Sequence, residues 1–140
     1  MNTESPSVKE RSYAMEILGV WRLKEMIAVD KGGFRMMSAE EIEDMEACDA
    51  NRQFKCMLFA DFILSEASLD IIYPLTDDPF AKEKGWQLTE RGYVIDSFPA
   101  RIEDGILMLD YIKNGEYTPV YIDDEGIMSL SGGLIKIKKT

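Results

Sequence analysis

Apolar and polar residues alternate with a period of two along most of this chain, the spacing that sets one face of a β-strand against a core. The first such run, Ile17 to Val29, puts Trp21, Leu23, Ile27 and Val29 on one side and Arg22 and Lys24 on the other. Glu25 falls on the apolar side, a carboxylate among hydrocarbon neighbours. From Phe54 to Leu64 the alternation predicts a second long strand, with Phe54, Cys56, Leu58, Ala60, Phe62 and Leu64 sharing its apolar face. Leu69 to Tyr73, ended by Pro74, reads as its partner across the polar turn Ser65-Glu66-Ala67-Ser68. Further on, Glu90-Arg91-Gly92, Glu103-Asp104-Gly105, Lys113-Asn114-Gly115, Asp124-Glu125-Gly126 and Ser131-Gly132-Gly133 punctuate short β-prone runs and describe an antiparallel meander.

The period changes in two places. Ser38 stands three residues before Glu41, a capping box, and Ile42, Met45 and Cys48 follow at helical spacing, so a capping helix is predicted over about 38–48. Asp78 before Pro79, with Gly85 as a stop, predicts a short helix over about 78–84. Residues 1–16 read as a flexible lead with a short helical turn before the first strand, and 17–140 as one domain. A twisted sheet of about nine strands closes on itself or splits into two sheets, and closure is the outcome that removes its edges. The predicted fold class is therefore all-β, an antiparallel meander barrel of 8–10 strands.

Composition narrows the partners. The net charge of -10 and pI near 4.5 repel phosphate backbones and anionic lipid, so neither nucleic acid nor membrane is expected. The C-terminal Lys136, Lys138 and Lys139 are too few to reverse that field and read as a charged edge-strand face. No apolar run reaches the roughly 20 residues of a bilayer span, and the N-terminus has no signal-peptide pattern, so a cytoplasmic location is expected. Cys48 and Cys56 lack Cys-x-x-Cys spacing and there is no histidine, which removes zinc-finger and thioredoxin chemistry and leaves two buried free thiols as the default, with a disulfide as the alternative. The acidic turn Asp123 to Gly126 lacks the alternating oxygen ligands of a calcium loop, so no metal or other cofactor is expected.

Gly19-Val20-Trp21 opening a β-prone run, a helix soon after it and about eight hairpin-linked strands resemble the calycin superfamily, the lipocalins and fatty-acid-binding proteins. The early helix is more similar to the fatty-acid-binding branch, where helices cap the barrel mouth. The resemblance implies a β-barrel that holds a small apolar or amphipathic ligand inside. Two features depart from it. Lipocalins carry an arginine near the last strand that packs over the tryptophan, where this chain offers only lysines, and the Arg-x-Tyr of fatty-acid-binding proteins is missing from its LIKIKKT ending.

With no histidine, acid–base work would fall to carboxylates on apolar strand faces, Glu25 and Asp110. The expected function is binding of a small hydrophobic ligand against Trp21, Leu58, Phe62, Tyr93, Tyr111 and Tyr121, with Glu25 and Asp110 as polar contacts. Two alternatives stand beside it. One is a barrel filled by its own side chains that serves as a protein-interaction or structural module, as monomer or homodimer. The other is an enzyme on the same scaffold using Glu25 or Asp110.

Overall fold

The computed structural model describes residues 16–30, 32–46 and 51–140. The predicted lead thus lies almost wholly outside the described residues, as does Cys48; the capping helix predicted to 48 stops at Asp44, where Met45 is already extended. In chain order the first half comprises β1 (Gly19–Asp30), β2 (Gly33–Ser38), α1 (Ala39–Asp44), α2 (Arg52–Phe59), β3 (Asp61–Leu64) and β4 (Ser68–Tyr73). There follow α3 (Pro79–Lys84), β5 (Gln87–Thr89), β6 (Gly92–Glu103) and β7 (Ile106–Leu109). The chain ends with β8 (Thr118–Pro119), β9 (Tyr121–Ile122), β10 (Ile127–Leu130) and β11 (Ile135–Lys139).

All strand pairs are antiparallel, in the order β8-β7-β6-β4-β3-β1-β11-β10-β9, with β2 added to β1 and β5 to β6. The two ends of that path are consecutive in sequence: only Val120 separates β8 from β9, and its N–H donates to Leu107 O at 2.9 Å. The sheet is thereby a nearly closed barrel, as the meander predicts. Short turns join β3 to β4, β6 to β7 and β9 to β10 at one end. The longer connections, with α1, α2 and α3, gather at the other. Among the described residues no helix is long and apolar enough to cross a membrane.

Local chemistry explains the helices. Ser38 Oγ accepts from Glu41 N–H while Glu41 accepts from Ser38 N–H, both at 3.1 Å, so the capping box starts α1 as predicted. Asp78 caps α3, which Gly85 ends in the left-handed conformation with φ 75°. The Phe54–Leu64 strand is a correction. Its first part is α2, and only Asp61–Leu64 is extended. Phe54, Met57 and Leu58, which pack against the core, also repeat at helical i, i+3, i+4 spacing, and this run contains no glycine or proline to oppose a helix.

The interior is built from alternating positions of the staves. Phe62, Leu69, Leu109, Met128 and Ile137 are 0% exposed, Leu130 1%, and Trp21 and Leu64 2%. Trp21 pairs across the ladder with Phe62, and its indole N–H donates to Ile17 O at 2.8 Å, which ties the residue ahead of β1 to the short-turn end.

Candidate interaction interface

The predicted site residues do not converge. Trp21 and Phe62 meet in the core. Leu58 is half-buried on α2, against the same core. Tyr93 belongs to a separate small cluster with Cys56, Tyr73 and Ala81, and its hydroxyl donates to Thr76 O at 3.1 Å. Tyr111 stacks edge-on against Phe98 at 5.6 Å, and burial pushes its phenol pKa up. Tyr121 is 77% exposed on the outer wall.

The two carboxylates are accounted for by ordinary structure. Asp110 is 2% exposed but accepts from Asn114 N–H at 3.1 Å and Gly115 N–H at 2.7 Å, so it holds the connection between β7 and β8. Glu25 does not share a face with Trp21 and Leu23. Leu23 pairs with Ile137 and Glu25 with Lys136, so Lys24 is an extra residue, a β-bulge that reverses the alternation. Met26 and Ala28 therefore turn inward, while Glu25, Ile27 and Val29 turn outward, and Glu25 Oε1 lies 3.4 Å from Lys136 Nζ. Among the described residues no group of three or more His, Cys, Asp or Glu side chains could hold a metal ion.

That reversal creates an outer face with two adjoining halves. In the basic half Arg22 stands directly opposite Lys138, a cross-strand pairing of like charges that is unfavourable by itself. Arg22 is drawn aside by Asp61 Oδ1 at 3.0 Å and Leu58 O at 3.3 Å. Lys24 and Lys138 are exposed and, among the described residues, form no ion pair. Arg22, Lys24, Lys138 and Lys139 line a cleft of about 350 Å³, with Glu25 and Glu40 as its carboxylates.

The apolar half lies beyond Glu25, where β1 and β2 form a two-stranded ribbon. Ile27 faces Met36 and Val29 faces Phe34 across the ladder, so all four side chains share the outer face. Phe34 is 75% exposed and Val29 36%, and Leu134, whose carbonyl accepts from Ile27 N–H, is 46% exposed. Sequence alternation alone placed Ile27 and Val29 inside. The signal available in the sequence was Phe34-Arg35-Met36, a strand whose two apolar residues share a face beside a glycine turn. Comparison of the chain with family models, curated proteins and solved structures gives no match.

Proposed function

We propose that this protein is a calycin-like barrel with a solid core that works as a protein-interaction module, docking an acidic partner segment on the outer face of β2, β1 and β11. The observation that carries the reading is the junction on that face of Lys24 and Lys138, which form no ion pair among the described residues, with a 75% exposed phenylalanine. In a chain of net charge -10, this is where a carboxylate-bearing partner meets attraction, and such focusing steers encounter and sets orientation. Covering Phe34, Val29 and Leu134 would then supply about 1.5–3 kcal/mol for each side chain fully buried.

The packed interior favours this reading over a ligand held inside the barrel. A side chain that walls a void large enough for a small molecule keeps free surface toward it, whereas Phe62, Leu69, Leu109, Met128 and Ile137 keep none. The calycin reading is supported by Gly19-Val20-Trp21 at the start of β1 and by the nearly closed antiparallel barrel. Lys139 lies opposite Trp21 in the register and donates to Glu16 O, but it does not replace the lipocalin arginine, and that departure stands.

Site-directed photo-crosslinking tests the proposal. A crosslinking residue at Phe34 should capture one predominant partner, and capture should fall about tenfold when Lys24 and Lys138 are both changed to Glu. The same residue placed at Glu116, in the connection between β7 and β8, should capture none of it. Equal capture from both positions, or capture indifferent to Lys24→Glu and Lys138→Glu, contradicts it.

A further inference from the structure

A separate cleft of about 680 Å³ lies on the outer wall where the barrel closes, at the junction of β8, β9 and β10. Strand register builds its floor. Tyr121 pairs with Ser129, Ser129 with Lys136 and Lys136 with Glu25, so these four side chains form one cross-strand row on the outer face. Met128, Leu130 and Ile137, of the opposite parity, fill the core behind it. Ser131, Gly132 and Gly133 take positive φ in succession, 52°, 68° and 94°, at one end of the cleft. A Cβ added at either glycine would meet no atom within 4 Å, so this backbone is open to approach.

The lining is hydroxyl and aromatic in character. Among the described residues nothing accepts the protons of the Tyr111, Ser129 and Ser131 hydroxyls. The Thr118 hydroxyl donates to Leu109 O at 3.1 Å and keeps its oxygen as an acceptor. Tyr111 is held by its edge-on contact with Phe98, and the Ser131 N–H beside its phenol oxygen opposes the rise in pKa that burial causes. Lys136 is the one ion among the lining residues, and Glu25 Oε1 lies 3.4 Å from its Nζ. An anion therefore gains little from this lysine in a chain of net charge -10, and a cation finds no carboxylate in the lining. An apolar ligand would strip water from the three hydroxyls and put nothing in its place, whereas a neutral polyol restores each bond. Tyr121, 77% exposed, and Pro119 add an apolar platform beside them.

We propose that this cleft binds a neutral saccharide, one pyranose unit whose apolar C–H face lies on Tyr121 and Pro119 and whose hydroxyls bond to Ser129, Ser131 and Tyr111. A pyranose carries both kinds of surface at once, and the volume lies within the roughly 300–1,000 Å³ of small-molecule sites. The site does not rest on docking at the β1–β2 face and uses neither Lys24, Lys138 nor Phe34.

The test titrates the methyl pyranosides of glucose, mannose and galactose into the isotope-labelled full chain and follows the amide shifts of Ser131, Gly132 and Gly133. At least one sugar should give a saturable, one-to-one shift with a Kd below about 50 mM, and cyclohexanol at the same concentrations should give none. Tyr121→Ala should weaken that sugar about tenfold and Tyr121→Phe should retain it within about twofold, at an exposed position that leaves the fold intact. Glucuronate should bind no more tightly than the best of the neutral sugars. Absence of saturation by all of the pyranosides, equal binding of cyclohexanol, indifference to Tyr121→Ala, or tighter binding of glucuronate would overturn the proposal.

Discussion

The Tyr73 hydroxyl, pushed up in pKa first by burial and then by its bond to Asp78, stays protonated wherever Asp78 titrates. In return that bond, first among several causes, holds the Asp78 carboxyl below its ordinary value. A carboxylate lowered in the folded state adds stability that is complete above its ordinary pKa and is lost as pH falls through the folded value. Tyr73→Phe should cost about 1 kcal/mol at pH 7, at the low end for a bond to a charged group because Asp78 is half-open to water. It should also flatten the acid limb of stability below about pH 4. Urea titrations at pH 7 and pH 3 check this, and an unchanged acid limb would contradict the assignment. At this scale the sequence is a poor guide. Asp78 is legible as a helix cap, but its link to Tyr73 joins the end of one strand to the start of a helix, a contact that no local spacing encodes. Asp110 misleads for the same reason, since its partners are the backbone of a turn rather than another side chain.

Elements with chemical punctuation were legible, and elements resting on periodicity alone were less so. Ser38 with Glu41 marks the start of α1, and Asp78-Pro79 with Gly85 both ends of α3, because caps are short-range hydrogen-bond chemistry. The run from Phe54 fits both periods, and the packing of α2 against β1 and β4 decides for the helix. The facing of β1 turns on one residue. With Lys24 bulged out, Leu23 and Met26 both point inward although they are three positions apart. Deleting Lys24 should therefore leave a regular strand with the same inward residues, and the variant should fold with a loss of about 1–2 kcal/mol. Deleting Lys24 and Glu25 together slips the strand by one, turns Met26 and Ala28 outward, and should abolish cooperative unfolding. Circular dichroism with urea titration separates the two. Equal behaviour of both deletions would show that the bulge does not set the facing.

For the whole molecule, the turn spacing was enough to predict a closing antiparallel meander, because closure follows from strand number and hairpin connections. What fills the barrel was not legible. It depends on which residues face inward after each bulge. A second bulge repeats the lesson on β6, where Ile71 pairs with Asp96 but Ile72 with Val94, leaving Ile95 as the extra residue. These shifts separate the predicted ligand set, sending Glu25 to the outer wall while Trp21 and Phe62 remain packed. The function we propose then lies on the surface, where the same bulge on β1 brings lysines and exposed apolar side chains together. The most direct check is methyl NMR of Leu69, Leu109, Leu130 and Met128 during titration with a neutral amphiphile such as 1-octanol. A core filled by its own side chains predicts no saturable shift at any of them. A concerted, saturable one-to-one shift would show a ligand cavity and contradict the account.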